Sequence, residues 1–329
     1  MKAPPAGLDE TALSALVAGR WRLDVESISY EPVGGGSHHW LLRTADAGYR
    51  FLTVDDLGTK PWLGADHDSA FAGLDVAFAT ARRLRDSGLD FVVAPIPAAG
   101  GDVVTRVDER FSGALFPYIA GRPGTFGAAF SLRDRAELCD IWARLHLATT
   151  AVRDEAPRRS LDVPGRADLD GALEGSGGQW SGGPYSERVR EWLTTKRELV
   201  TGALNRYDRL AVPMASRELV ITHGEPHAGN LIRIEEGLRL IDWDTVALAA
   251  PERDLWMLDD GTDAGLAPYT AATGHAIDRS ALDFYRLAWL VTDVASFVAE
   301  LRGPHAGDAN SAHAWRALQV TGESLSSML

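Results

Sequence analysis

The chain has 329 residues, 45% hydrophobic and 24% charged, which is enough for two lobes with packed cores and excludes wholesale disorder. Its formal charge of −13 excludes nucleic acid as a partner, since neutralising a phosphate backbone takes a basic face, whereas an acidic surface attracts cations. A single cysteine, Cys139, leaves no disulfide framework and no CxxC metal site.

The opening MKAPPAGLDE lacks the apolar core of a signal peptide, and no run approaches about 18 apolar residues, so the expectation is a cytoplasmic protein that does not enter a membrane. Asp9 starts a helix over 9–18 with Ala12, Leu13, Leu16 and Val17 on one face and Gly19 at its end. Strands follow at 25–33, 38–44 and 49–54, with Gly34, Gly35, Gly36 and Ser37 joining the first two and Ala47-Gly48 at the next turn. Residues 68–87 form a long helix, because Phe71, Leu74, Phe78, Ala81 and Leu84 recur at steps of three and four and Gly88 stops it. Further strands are expected at 91–96, 102–106 and 111–118.

Beyond Pro117-Tyr118-Ile119-Ala120-Gly121 the pattern turns mainly helical. Ser131 caps a helix to about Thr149 whose apolar stripe is Leu138, Ile141, Trp142 and Leu145. A Gly/Ser-rich loop covers 174–184, and helices are expected at 185–206, 279–302 and 309–327. Between them, 218–222 and 238–242 read as short strands flanking a polar loop.

That loop is the most informative stretch: His223-Gly224-Glu225-Pro226-His227-Ala228-Gly229-Asn230, then Ile241-Asp242-Trp243-Asp244. Phosphoryl transfer needs a carboxylate to orient the attacking hydroxyl, and an amide oxygen and a second carboxylate to hold Mg²⁺ against nucleotide phosphates. His223 and His227 at i and i+4 also suggest zinc, but Pro226 between them disfavours the helix that a zincin motif needs.

The two stretches resemble the H-G-D-x-H-x-x-N catalytic loop and the I-D-W/F metal motif of the aminoglycoside phosphotransferase and choline kinase-like family. Pro251-Glu252-Arg253-Asp254-Leu255 resembles its D-P-x-x-D-L segment, and the combination looks closest to the spectinomycin phosphotransferases. The resemblance is sharp over 221–256 and looser through 25–150. It implies an α+β, protein-kinase-like two-lobed fold. Residues 1–116 would form a nucleotide-binding lobe, an antiparallel sheet with one long helix. Residues 117–121 would be the hinge, and 122–329 a larger, mainly helical catalytic and acceptor-binding lobe.

Carried over, Glu225 falls at the catalytic base and Asn230 and Asp242 at the metal ligands. His223, His227 and Asp254 would brace the loop. Gly34, Gly35, Gly36 and Ser37 would cover ATP or GTP, and the backbone of Pro117, Tyr118 and Ile119 would read the base edge.

Two departures stand out. The base is Glu225 where the family has Asp, which adds about 1.5 Å of reach. The third strand reads Phe51-Leu52-Thr53-Val54 where the family has F-L-K-V, so Thr53 occupies the phosphate lysine's place. The chain has only three lysines, Lys2, Lys60 and Lys196. Lys60, just past the strand, is the expected substitute on the phosphates, paired with Asp75, with Arg43 or Arg50 as competitors. Asp244, Asp259, Asp260 and Asp263 are the expected acceptor contacts.

The function that follows is a nucleotide- and Mg-dependent O-phosphotransferase acting on a small, cationic, hydroxylated acceptor such as an aminoglycoside or aminocyclitol antibiotic. The alternatives are a metabolic kinase for a sugar, amino alcohol or homoserine-like acceptor, and a nucleotide-binding pseudokinase. The sequence does not fix the oligomeric state.

Overall fold

The computed structural model of the chain describes residues 1–329 apart from Lys2, Ala6, Ala47, Ser176, Gly177 and Asp263. The Ala47 half of the expected second turn, Ser176 and Gly177 of the glycine-rich loop, and the expected acceptor contact Asp263 therefore lie outside the described residues.

Asp9 accepts from the Thr11 amide and starts α1 (Glu10–Trp21), whose buried face is Leu13, Val17 and Trp21. β1 (Val25–Glu31), β2 (His38–Thr44) and β3 (Gly48–Asp56) follow as antiparallel neighbours. α2 (His67–Asp86) begins with a capping box between Asp66 and Ser69 and buries Ala70, Leu74, Ala77, Phe78, Ala81 and Leu84. β4 (Thr105–Arg106) and β5 (Phe111–Pro117) complete a five-stranded sheet of order β1-β2-β3-β5-β4.

Strand alternation sorts this sheet into two faces. Trp40, Leu42, Leu52, Val54 and Leu115 pack with the buried face of α1 in one apolar cluster. Each such side chain contributes about 2 kcal/mol relative to exposure. The opposite face of β3 carries Thr53 and Asp55.

The strand expected at 91–96 does not form. Val92 makes only an isolated parallel bridge to Leu240. Pro95 and Pro97 have no N–H to give, so the apolar run stays extended without joining a ladder.

After β6 (Arg122–Pro123), α3 (Leu132–Leu147) is capped by Ser131 and buries Leu138, Ile141, Trp142, Leu145 and His146. α4 (Arg166–Glu174) was not expected from the sequence. The single helix expected over 185–206 is two, α5 (Ser186–Thr195) and α6 (Arg197–Met214), with Lys196 between them at φ −98°, ψ 10°. Then come β7 (Val220–Thr222), β8 (Leu231–Ile234), β9 (Gly237–Leu240), β10 (Ala247–Ala249), α7 (Glu252–Leu255) and α8 (Ala267–Thr273). α9 (Arg279–Arg302) and α10 (Ala309–Met328) end the chain. The expected α+β order holds: an antiparallel sheet with one long helix first, then a mainly helical part.

The chain forms two units. Met1–Arg159 with Leu219–Ile277 make the first, and Ser160–Glu218 with Asp278–Leu329 the second. The second is all helical, with α9 packed against α4, α5, α6 and α10. The first holds the main sheet and two small antiparallel sheets, β6-β8-β9 and β7-β10, which carry the loops 223–230 and 241–246.

Candidate active site

β7 runs into His223, and the turn that follows is held from three sides. Asp254, at the start of α7 and fully buried, accepts the His223 amide on Oδ2 at 2.8 Å and the Gly224 amide on Oδ1 at 2.7 Å. Burial alone would raise the Asp254 carboxyl, but the hydrogen bond from His146 and the nearby Arg253 guanidinium hold it below its usual range. Gly224 has φ 98°, and a Cβ there would run into the Arg253 guanidinium, so the position needs glycine twice over. Arg253 donates to Thr222 Oγ1 at 2.8 Å and to the Thr245 carbonyl at 2.9 Å, tying β7 to the turn before β10.

His223 is fully buried and bonds through both ring nitrogens. Nε2 donates to the Ile241 carbonyl at 2.9 Å, and Nδ1 accepts the Glu225 amide at 3.2 Å. Desolvation holds the imidazole below its usual pKa, which suits this neutral tautomer. His223 therefore ligates nothing; it ties the Glu225 backbone to the strand leading to Asp242.

Glu225 is half-buried. Asn230, in the 3-10 turn Ala228–Asn230, donates Nδ2 to the Glu225 carbonyl at 3.2 Å and to Oε2 at 3.4 Å. His227 Nε2 lies 3.7 Å from Glu225 Oε2, an electrostatic contact too long for a hydrogen bond. Burial opposes ionisation of Glu225, yet His227, His223 and Asn230 hold it below the usual carboxylate range. The Ile241 amide donates to the Asn230 carbonyl at 3.0 Å, so the second motif is pinned to the first.

In Asp242-Trp243-Asp244 the middle residue anchors the other two. Trp243 is fully buried, donates Nε1 to the Leu240 carbonyl at 2.9 Å, and sits edge-on to His223 with ring centroids 4.8 Å apart. Asp242 takes φ 67°, a left-handed conformation that costs a non-glycine residue about 1–3 kcal/mol. Its side chain is exposed, so solvent screens much of what its neighbours do to it. Desolvation of its inner side and the nearby carboxylates of Asp244 and Glu225 raise it well above its usual pKa, opposed in part by Lys60.

Lys60 is 1% exposed, and Asp244 is its partner. Its Nζ lies 2.6 Å from Asp244 Oδ2, 3.0 Å from Asp55 Oδ1 and 3.3 Å from Ser37 Oγ. Burial disfavours the ammonium, but Asp244, Asp55 and Asp242 overcome this and raise its pKa. Asp75, the partner expected from the sequence, is not among its ion pairs, which are with Asp244 and Asp55. Asp244, expected at the acceptor, is instead buried against Lys60. Thr53 faces His39, with Oγ1 3.2 Å from His39 Nδ1, and burial pushes that imidazole down to about 4.

The glycines Gly34, Gly35 and Gly36 are exposed, and Ser37 is buried, donating to Asp55 Oδ1 at 2.6 Å. Pro117 closes β5 opposite Arg50, and Tyr118 is exposed with its ring 5.8 Å from that of Tyr49, while Ile119 is half-buried. Asp259 and Asp260, also expected at the acceptor, bond their own turn: Asp259 accepts the Gly261 amide at 3.0 Å and Asp260 the Thr262 amide at 2.9 Å.

The oxygens gathered here are hard donors. Two are the carboxylates of Asp242 and Asp244; a third is Asn230 Oδ1, left over when Nδ2 turns to Glu225. Such a set suits Mg²⁺, and the buried Asp55, whose Oδ2 has no hydrogen-bond partner, adds negative charge that Lys60 offsets only in part. Sequence reasoning missed Asp55, Arg253, His146 and Tyr269. Only Asp55 had a visible signal, a carboxylate at the end of an apolar strand.

Residues 29–290 match the family model described as the phosphotransferase enzyme family, APH. Protein StrN of Streptomyces griseus is 28% identical over 270 residues, covering 78% of this chain and 79% of that protein. Spectinomycin phosphotransferase APH(9)-Ia, solved with ADP and spectinomycin, has a similar fold, with TM-score 0.74 at 16% identity over 98% of this chain and 99% of that one. Choline kinase LicA from Streptococcus pneumoniae is similar at TM-score 0.59 and 17% identity, covering 97% of this chain and 99% of that one. The fold is thus the kinase-like one. The chain belongs to the phosphotransferase enzyme family and is a kinase that transfers phosphate to a hydroxyl acceptor.

Proposed function

We propose that the protein is a nucleotide- and Mg-dependent O-phosphotransferase whose acceptor is a small cationic aminoglycoside or aminocyclitol. The observation that carries this reading is the convergence of Glu225, Asn230, Asp242, Asp244 and a buried Lys60 in one place. Glu225 is held ionised, ready to accept the proton of an acceptor hydroxyl as its oxygen attacks the terminal phosphorus and the bond to the bridging oxygen breaks, releasing the nucleoside diphosphate. Asn230 fixes the rotamer of Glu225 through Oε2 and keeps its own oxygen for the ion. Asp242, Asn230 and Asp244 would hold Mg²⁺, which when bound neutralises charge on the phosphates.

Lys60 takes the part that the strand lysine plays in relatives, with Asp55 orienting it from below. Gly34 to Ser37 cover the phosphates through backbone N–H groups, and the backbone of Pro117 to Ile119, at the hinge between the two lobes, meets the base. Acceptor class rests on two supports: the similar phosphotransferase solved with spectinomycin, and the net charge of −13, which draws cations.

The test is a transfer assay of the purified protein with ATP or GTP and Mg²⁺ against spectinomycin, other aminoglycosides, homoserine and choline, with products read by mass spectrometry. A singly phosphorylated aminoglycoside or aminocyclitol is the expected product. Preferred phosphorylation of homoserine or choline overturns the acceptor class, and nucleotide binding with no transfer to any acceptor overturns the enzymatic reading.

A further inference from the structure

Behind the turn that carries Glu225 runs a buried chain of three side chains from three helices. Tyr269 of α8 places its hydroxyl 2.7 Å from His146 Nδ1, and His146 of α3 places Nε2 3.2 Å from Asp254 Oδ2. Asp254 in turn receives the amides of His223 and Gly224. Tyr269 is 1% exposed, His146 4% and Asp254 0%. All three side chains are thus shut off from solvent.

Its direction follows from the donor inventory. Asp254, ionised, only accepts, so His146 Nε2 carries the proton between them. In the neutral imidazole Nδ1 is then an acceptor, and the Tyr269 hydroxyl donates to it. Burial raises the Tyr269 pKa further above its usual value, so the phenol keeps that proton. Tyr269 thereby selects the tautomer that points N–H at Asp254. The ring cannot easily turn away: His275 stands edge-on to it at 6.4 Å and is itself held to the buried Glu252 at 2.9 Å.

Asp254 Oδ2 serves two donors at once, the His223 amide and His146. Removing the imidazole donor leaves a buried carboxylate short of a bond, and its plane is free to rotate. Both amides that it holds belong to the two residues immediately before Glu225. The His223 ring passes the same displacement to Ile241, next to Asp242.

We infer that His146 and Tyr269 are positioning residues for phosphoryl transfer, acting through Asp254 on the Glu225 loop. The inference rests on the proposed function only in naming Glu225 as the group positioned.

Three variants of the full chain test it: Tyr269→Phe, His146→Leu and His146→Gln. The readouts are hydrogen exchange of the peptide spanning 221–230, and kcat and KM for ATP. Tyr269→Phe keeps the ring and removes only the hydroxyl. It should speed exchange in that peptide about tenfold and lower kcat about tenfold, with KM for ATP within about twofold. His146→Leu should do at least as much. His146→Gln, which retains an N–H for Asp254, should restore both readouts to within about threefold of the parent protein. The inference is overturned if Tyr269→Phe leaves exchange and kcat unchanged, if Gln at 146 is no better than Leu, or if exchange rises equally in β2 and β3. Should His146→Leu fail to fold, Tyr269→Phe decides. Should the parent protein transfer no phosphate, the exchange readout still decides, so the two readings fail separately.

Discussion

Lys60 and Asp244 are 184 residues apart in the chain, and Lys60 Nζ lies 2.6 Å from Asp244 Oδ2 with both side chains almost fully buried. The same ammonium takes Asp55 Oδ1 at 3.0 Å. One cation thus links the end of β3 to the segment after Trp243, where relatives use a lysine on the strand itself.

Lys60→Met should therefore act twice. The folded-state pKa of Lys60 is raised above its unfolded value, so its contribution to stability is fully present at neutral pH and is lost only as pH rises through the folded value. Methionine leaves Asp55 and Asp244 uncompensated, which should cost about 3 kcal/mol in urea unfolding at pH 7.5. Transfer efficiency toward the nucleotide should fall about tenfold or more. A variant with the parent's kcat/KM would remove Lys60 from the phosphate role, whatever its stability.

A lysine returned to the strand should compensate. Thr53 and Asp55 lie two residues apart on one face of β3, so an ammonium at 53 can reach the carboxylate that now holds Lys60. Its cost is the Thr53 contact to His39. The double variant Thr53→Lys with Lys60→Met should regain about tenfold in kcat/KM for ATP over Lys60→Met alone. No recovery, in a protein that melts like the single variant, would mean that the two positions are not interchangeable.

The candidate loop 223–230 is legible because it packs a carboxylate, an amide and a bracing histidine into eight residues. The spacing is local, and a chance match to both motifs in order is rare. Asp254 is legible only through the resemblance of Pro251–Leu255 to the family's D-P-x-x-D-L segment. The partners of Lys60 were not, since Asp244 is brought to it only by the fold, and nothing near Lys60 in sequence distinguishes Asp55 from Asp75. His146 was hidden in an amphipathic helix, where it reads as one more residue of the buried stripe; its role appears only once α7 and α8 pack around it. The run at 91–96 is apolar enough to read as a strand, but Pro95 within it and Pro97 just after remove donors that a ladder needs.

Glu225→Gln separates chemistry from binding. Glutamine keeps the size of the side chain and can still meet Asn230, so the loop held by Asp254 and His223 should stay in place. It cannot take a proton at neutral pH. The expected result is a fall in kcat of about a hundredfold or more, with the dissociation constant for ATP changed less than about threefold by calorimetry. A modest loss, below about fivefold, would show that Glu225 is not the group that receives the hydroxyl proton.

Asp242→Asn should make the metal-free protein more stable while disabling it. The Asp242 pKa is raised in the folded state by desolvation and by the carboxylates of Asp244 and Glu225. For an acid this means that the folded form binds the proton more tightly than the unfolded form does. Ionised Asp242 then weakens the fold above the folded-state pKa, and the penalty disappears as pH falls below the unfolded value of about 3.9. Asparagine carries no such penalty. In buffer with a chelator at pH 7.5 the variant should melt higher than the parent, and the gap should close as pH is lowered toward 4. Adding Mg²⁺ with ATP should reverse the order, because only the parent keeps the charge that the ion requires. If the variant melts lower than the parent in chelator at pH 7.5, Asp242 is stabilised by its neighbours rather than strained against them, and its assignment as a cation ligand fails.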